Sequence, residues 1–326
     1  MRKILQFISK HFAWFFIIGL ILGLIFQGVA AFINPSIYYI LMFVLFLSYL
    51  KVDSSVMKKE LKNLKITSLL LLFKLIILPI CFYTLSIIII KVFKLNHDWS
   101  IATLLLYSAP AGVICPTAAL LLGGHFERCL SNVVLGSFLA PITIPLLLYL
   151  FAKGESIELG QVGLNLAILV ISPFIIAQLV KRFAAQKVEK MTPYISPISV
   201  ILLCTVIIGA LKGVRTELES HPEYLFIILA MLTLFFIIAF SLPWLLMAKK
   251  SKEDRMTLSV LSTWMNNGVI IVLASSFLNN PLITLFVIIS ELPWGFAFLP
   301  ASIWAKKQRI GEVSSEHRLG NKKAPH

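Results

Sequence analysis

The chain has 326 residues, of which 59% are hydrophobic and only 13% are charged. A water-soluble domain carries roughly 25% charged residues, so this composition excludes a soluble enzyme, a disordered protein and a secreted disulfide scaffold. The 29 Lys and Arg residues outnumber the 15 Asp and Glu residues. Because the basic residues fall between apolar blocks, they indicate cytoplasmic loops of a membrane protein and no surface for nucleic acid.

Ten apolar segments approach the length of about 20 residues that a membrane-spanning helix needs. In chain order they are Phe12–Ile33, Ile37–Leu50, Ile66–Ile90, Ser100–Leu122, Cys129–Phe151, Val162–Leu179, Ile195–Ala210, Tyr224–Met247, Met256–Leu278 and Leu282–Ala305. The second segment is short, and Pro197 interrupts the seventh. The first follows basic residues as a signal peptide would, but its apolar stretch exceeds about 15 residues, so we expect a retained helix.

The distribution of basic residues predicts the orientation of the chain. If the N-terminus is inside, the outer loops hold only Lys91, Lys94, Lys153, Lys212 and Arg215, and nearly all other Lys and Arg residues lie inside. We therefore expect both termini to be cytoplasmic, in a membrane of the bacterial inner-membrane type. The tail, residues 306–326, is polar and expected to be disordered.

The ten segments divide into two halves of five, residues 1–152 and 153–305. Because five is odd, the second half starts from the opposite side of the membrane, which is the geometry of an inverted repeat. The predicted fold class is therefore an all-α integral membrane protein built as a 5+5 inverted repeat.

The fourth segment of each half contains residues that break helices. The first half has Pro110-Ala-Gly-Val-Ile-Cys-Pro116, and the second has Asn266-Asn-Gly268. Proline removes a backbone donor, and Asn and Gly tolerate unwinding. Because irregular backbone at membrane depth is tolerated only around a cavity or inside protein, two matched breaks predict a transport site near the midplane.

Two charged residues lie inside apolar segments. Lys74 is in the third segment and Glu291 is in the tenth. Intramembrane charges are costly and mark function by default, so we predict that they pair or that one is a coupling charge. Alternatively, Lys74 lies about 12 Å from the inner end of its helix, at 1.5 Å per residue, and snorkels to the interface.

Two stretches carry a resemblance to a known family. The run Tyr107-Ser-Ala-Pro-Ala-Gly-Val-Ile-Cys-Pro-Thr-Ala-Ala-Leu120, followed by Gly123-Gly124, Leu130-Ser131 and Ala140-Pro-Ile-Thr-Ile-Pro-Leu-Leu-Leu-Tyr149, resembles the broken fourth helix and the fifth helix of the bile acid:sodium symporter family. The run Thr263-Trp-Met-Asn-Asn-Gly-Val-Ile-Ile-Val-Leu-Ala274 resembles its ninth helix. This family lies in the bile/arsenite transporter superfamily, which shares one ten-helix plan.

The resemblance implies a panel of helices 1, 2, 6 and 7 that moves against a core of helices 3, 4, 5, 8, 9 and 10. It implies an organic anion, such as a bile-acid-like carboxylate or sulfonate, that binds where helices 4 and 9 cross and moves by alternating access with sodium. The candidate binding residues are Pro110, Gly112, Cys115, Pro116, Thr117, Asn132, Thr263, Asn266, Asn267 and Gly268.

The chain departs from the family where sodium ligands are expected. Cys115 and Pro116 replace a Ser-Asn pair, Leu261 replaces an acidic residue, and Met265 replaces a Gln. Sodium needs hard oxygen ligands, so Na⁺ is implied by the family but not by these side chains. Coupling to protons, or no coupling, stays open.

Two other functions compete with organic-anion transport. Cys115 lies inside the first break, and a thiol there would suit arsenite efflux. A membrane receptor that keeps the fold without transport is the second alternative. We expect no enzyme, no cofactor and no metal centre, since no catalytic constellation is visible and the four cysteines lack ligand spacing.

Overall fold

The computed structural model describes residues 12–52, 64–152 and 158–307. Within these ranges the regular structure is helical, apart from one isolated β-bridge, which confirms the all-α class. The first basic residues and the predicted tail beyond Lys307 lie outside the described residues.

The helices follow the apolar segments of the sequence. In chain order they are α1 (Phe12–Ile25), α2 (Gln27–Ile33), α3 (Ile37–Tyr49), α4 (Lys65–Phe93), α5 (Asp98–Ser108), α6 (Cys115–Leu122), α7 (Phe126–Phe151), α8 (Leu159–Ala210), α9 (Val214–Ser220), α10 (Tyr224–Leu246), α11 (Lys252–Thr263), α12 (Asn267–Leu278) and α13 (Pro281–Lys307). A π-helical turn, Phe73–Ile77, lies within α4. A hydrogen-bonded turn at Ser290 interrupts α13.

Several of these helices are suited to a lipid environment. In the described ranges six helical stretches are long and apolar enough to cross a membrane, namely Gln27–Tyr49, Lys65–Phe93, Phe126–Phe151, Gly160–Ala210, Tyr224–Leu246 and Pro281–Lys307. Large apolar side chains face outward, and Phe32 and Phe183 are 84% and 80% exposed. Such a surface requires lipid rather than water, so the chain is a multi-pass membrane protein.

Helix α8 joins two predicted segments without a loop. Its 52 residues extend about 78 Å at 1.5 Å per residue, more than twice the roughly 30 Å hydrocarbon core. The helix bends at Ala184, where φ is −138° and ψ is 36°. The predicted interruption at Pro197 is wrong, because α8 continues through this proline. Membrane helices tolerate proline when neighbouring groups satisfy the freed carbonyl.

The first helix ends earlier in the chain than the sequence suggested. The predicted first helix extends to Ile33, but α1 stops before Phe26. The Gln27 side chain donates to the Leu211 carbonyl at 3.2 Å, and the Asn34 side chain donates to a carbonyl in the last turn of α8 at 3.0 Å. Both amides therefore attach this corner to the end of α8, and they compete with helical hydrogen bonds there.

Helix α8 is a scaffold for the N-terminal helices, since it packs most extensively on α3 and also on α1 and α7. Close approach requires small residues. A Cβ atom added to Gly209 in α8 would lie 2.6 Å from the Ile37 side chain at the start of α3. Helices α5, α6, α11 and α12 form a second group of packed helices, and the two predicted breaks meet within it.

Candidate functional site

The first break separates α5 from α6. Helix α5 ends at Ser108, and Ala109 is extended, with φ −55° and ψ 139°. This conformation is the one that Pro110 imposes on the residue before it. Helix α6 then begins at Cys115 with Pro116 in its first turn, where a missing N–H does no harm. The predicted break in the fourth segment is therefore confirmed.

The second break separates α11 from α12. Helix α11 ends at Thr263, and Trp264 is extended, with φ −96° and ψ 106°. Asn266 is also non-helical, with φ −83° and ψ 74°, and α12 begins at Asn267. The predicted break in the ninth segment is confirmed as well.

The two breaks form hydrogen bonds with each other. The Gly112 N–H donates to the Trp264 carbonyl at 2.9 Å, and the Asn266 N–H donates to the Pro110 carbonyl at 2.8 Å. The pair makes a one-step antiparallel β-bridge. A buried backbone group without a partner costs about 1–3 kcal/mol, so each break satisfies groups that the other leaves open.

The bridge requires a residue without a side chain at position 112. A Cβ atom on Gly112 would lie 2.8 Å from the Met265 carbonyl oxygen and 3.1 Å from its carbon. Both contacts are with backbone that the bridge holds in place. Glycine at this position therefore sets the distance between the two unwound segments.

Cys115 completes the same hydrogen-bond network. Its thiol is fully buried and donates to the Trp264 carbonyl at 3.0 Å. This carbonyl therefore accepts from both Gly112 and Cys115. The thiol thus has a structural use in the crossing, and its geometry adds no support to arsenite binding.

Lys74 lies beside the first break, inside the protein. Its side chain is 2% exposed, and Nζ donates to the Tyr107 carbonyl in the last turn of α5 at 3.1 Å. The predicted snorkelling is wrong, since the packing of α4 against α5 covers the ammonium group. The ion pairs of the described residues do not include Lys74 with Glu291, so the predicted pair is not formed in this structure.

The predicted site residues do not all meet at the crossing. Pro110, Gly112, Cys115, Pro116, Thr263, Asn266, Asn267 and Gly268 lie at or next to the two breaks. The Thr117 side chain is exposed. Asn132 is buried in α7 and donates to the Arg128 carbonyl of its own helix at 3.0 Å.

A small polar cavity lies on one side of the second break. Its volume is about 20 Å³, and Tyr107, Thr263, Asn267, Ser290 and Trp294 are among its lining residues. The Asn267 amide donates to the Ser290 hydroxyl at 2.9 Å. The sequence analysis did not include Ser290 or Tyr107 among the site residues, although Tyr107 begins the first run that it singled out and Ser290 directly precedes Glu291.

An ionic cluster attaches the start of α7 and the loop before it to the start of α11. Asp254 pairs with Arg128 of α7 and, at 3.3 Å, with His125 Nε2. The His125 N–H donates to the Thr257 hydroxyl at 2.8 Å. Helix α11 is thus held at its end by the crossing and at its start by this corner between α6 and α7.

Comparisons with known proteins agree with this architecture. The profile of the Sodium Bile acid symporter family matches residues 38–221. The chain is 23% identical over 227 residues to the "Uncharacterized sodium-dependent transporter YocS" of Bacillus subtilis, covering 69% of each chain. It is 26% identical over 211 residues to the "Sodium/bile acid cotransporter 7-B" of Xenopus laevis, covering 59% of each chain.

The chain therefore belongs to the Sodium Bile acid symporter family. Members of this family are transporters rather than enzymes, and the long apolar helices agree with a transporter that crosses the membrane several times.

The geometry of the crossing predicts a specific effect of Gly112→Ala. Because the new methyl group would overlap backbone, we expect a loss of about 1–3 kcal/mol of stability, as for other overpacked sites, and a lower apparent melting temperature in detergent. Gly160→Ala is the matched control, since open space surrounds a Cβ atom there. Equal melting temperatures for the two variants would contradict the close approach at Gly112.

Proposed function

We propose that this protein is a sodium-coupled secondary transporter of an organic anion, and that the anion binds beside the crossing of the two broken helices. The proposal rests on the backbone bridge between the two breaks, in which Gly112 donates to Trp264 and Asn266 donates to Pro110. Unwound backbone inside a membrane protein is expected around a transport site.

The proposed architecture has ten crossings in two inverted halves, 1–152 and 153–305. Support comes from α8, which is long enough for two crossings, and from the two short pairs α5–α6 and α11–α12. Each pair makes one broken crossing in the corresponding position of its half. This count includes α1, which is apolar but shorter than the six long stretches.

Alternating access is supported by the way the helices group. Helices α1 and α3 both pack on α8, whereas α11 is joined to the first break at its end and to the corner between α6 and α7 at its start. The two groups touch at Gly268, where an added Cβ would lie 2.9 Å from the Leu41 side chain of α3. We propose that the first group moves against the second along this contact.

The N-terminal ends of the helices that begin at the crossing favour an anionic substrate. Helices α6 and α12 both begin there, so their first N–H groups lack helical acceptors and offer partial positive charge. The Asn266 side chain is partly exposed and makes no hydrogen bond with the described residues, so its amide is free to bind a ligand.

An amphipathic substrate is supported by an apolar groove of about 810 Å³ beside the crossing. Phe236 and Pro293 line both this groove and the small polar cavity. Its size falls within the 300–1,000 Å³ of small-molecule sites. The name of the Xenopus relative includes bile acid, and we carry this substrate class to the chain as part of the proposal.

Sodium coupling is supported by the names of both relatives, each of which includes sodium. The positions where the family resemblance places sodium ligands are apolar here, since Leu261 is fully buried and Met265 is 6% exposed. We therefore propose that oxygen atoms elsewhere at the crossing hold the ion.

Flux measurements test the transport function. Purified protein in proteoliposomes should accumulate radiolabelled taurocholate under an inward Na⁺ gradient and much less under an equal K⁺ gradient. Binding of taurocholate without net movement under either gradient would indicate a receptor and contradict transport. Movement of arsenite in place of taurocholate would contradict the organic-anion proposal.

Asn266→Ala should reduce taurocholate uptake by about tenfold or more, because the loss of one ligand hydrogen bond in a desolvated site costs about 1–3 kcal/mol. Asn279→Ala is not a suitable control, because Asn279 has a positive φ. Thr84→Ala in α4 serves better, since this hydroxyl is exposed and donates only within its own helix. Uptake by Asn266→Ala at the level of Thr84→Ala would contradict a substrate contact.

Lys74→Met tests whether the buried ammonium group is a coupling charge. We expect at least tenfold slower uptake with an unchanged or higher melting temperature, because methionine fills the space without the cost of a buried charge. Lys91→Met, at an exposed position of the same helix, is the control. Wild-type uptake by the Lys74 variant would contradict the role.

A further inference from the structure

The small cavity beside the second break presents oxygen atoms to a space of about 20 Å³. A cavity needs about 10–15 Å³ to hold one water-sized occupant. The polar side chains of Thr263, Asn267 and Ser290 line it, and they are only 3%, 3% and 7% exposed. The cavity is therefore large enough for a single small occupant, and these three buried polar side chains line it together with apolar side chains such as Leu106 and Phe236.

The hydroxyl groups of Thr263 and Ser290, which line this cavity, already donate their hydrogens to backbone carbonyls. Thr263 donates to the Ser259 carbonyl at 2.6 Å, and Ser290 donates to the Val287 carbonyl at 2.6 Å. The Asn267 amide hydrogens face the Ser290 hydroxyl. The hydroxyl groups therefore have only oxygen lone pairs left to offer an occupant.

Two further oxygen atoms here are buried without a hydrogen-bond partner among the described residues. They are Oδ1 of Asn267 and Oε2 of Glu291. The Glu291 carboxyl group also interacts with the Asn267 side chain, which itself lines the cavity. A buried acceptor that is left unpaired costs about 1–3 kcal/mol and more when it is charged, so these atoms favour an occupant that is positively charged or donates hydrogen bonds.

No cation of the protein fills this role in the described ranges. The ion pairs found there do not include Glu291, and the Lys74 ammonium group is bound to the carbonyl of Tyr107. Several oxygen acceptors, one carboxylate and a single small space are the features of a site for a hard cation.

We propose that this cavity binds one Na⁺ ion, with the Glu291 carboxylate as the charged partner and oxygen ligands from Asn267, Thr263 and Ser290. The inference rests on the proposed sodium coupling and assigns its ion to α11, α12 and α13. The carboxylate comes from α13, whereas the acidic position that the family resemblance implies is Leu261 in α11. We propose Na⁺ in place of K⁺ because the inference rests on the proposed sodium coupling.

Thermal stability in Na⁺ and K⁺ tests the site without a transport assay. A ligand that binds only the folded state stabilises it by RT ln(1 + [L]/Kd). Purified wild-type protein should therefore melt at a higher temperature in NaCl than in KCl of equal ionic strength. Glu291→Gln should abolish this difference, and Glu219→Gln, at an exposed position of α9, should retain it.

Thr263→Val provides a second variant that keeps the side-chain shape. Removal of one oxygen ligand should raise the NaCl concentration needed for half of the stabilisation by about tenfold. If Glu291→Gln fails to fold, this shift in Thr263→Val still decides the proposal. A Glu291 variant or a Thr263 variant with the wild-type Na⁺ response would overturn it.

The outcomes separate this inference from the proposed function. A wild-type Na⁺ response that survives in both variants, together with Na⁺-driven taurocholate uptake, would overturn the site and leave sodium symport standing. Absence of both the Na⁺ response and Na⁺-driven uptake in the wild type would overturn both. Stabilisation by low pH in place of Na⁺, lost in Glu291→Gln, would assign the cavity to a proton and overturn the sodium site.

Discussion

The structure depends on the need to satisfy backbone groups that two unwound segments bury inside the protein. Pro110 and Asn266 each lie where a helix has ended, and the bridge pairs their backbone groups. Neither break would be stable alone in a membrane interior. The second break thus provides the partners of the first, which fixes where α5–α6 and α11–α12 cross and how closely they approach at Gly112.

Aromatic packing makes this crossing rigid. Trp264 is 1% exposed, and edge-on contacts with Phe236, Phe240 and Phe298 surround its ring at centroid distances of 5.9, 6.1 and 6.1 Å. On the other side, Tyr107 stacks on Phe82 at 3.7 Å. These contacts pack the crossing against α4, α10 and α13, and the Asp254 cluster attaches the corner between α6 and α7 to α11, so relative motion of the two broken helices is expected to be small. Rearrangement is easier where a single flexible side chain makes the contact, such as Leu41 against Gly268.

Helix-breaking residues in the sequence predicted both breaks, because proline and an Asn-Asn-Gly run interrupt the helix in which they lie. It did not predict that the breaks bond to each other, since this pairing depends on long-range packing. The position of Lys74 along its helix can be counted from the sequence, but this count does not show which neighbour covers its side chain. The pairing of Lys74 with Glu291 failed for the same reason, as each charge found a nearer polar group.

The bend within α8 shows a second limit of prediction from helix-breaking residues. Pro197 suggested a break where the helix continues, and the actual bend falls at Ala184, between the sixth and seventh predicted segments. Ser290 was missed because one serine in an apolar run is more often a helix-internal hydroxyl than part of a site.

The second break has the features needed to link an ion to a substrate. Asn266 is partly exposed at the break, while Asn267 is buried on the cavity, and the two residues are adjacent at the start of α12. An occupant held by Asn267 would fix the first turn of α12, and thereby the amide that is offered to the substrate. By linkage, an ion that favours substrate binding is itself bound more tightly by the same factor when substrate is present. The first break lacks such a pair, because the Cys115 thiol is committed to the Trp264 carbonyl. The asymmetry between two otherwise corresponding breaks therefore supports our proposal that coupling lies at the second.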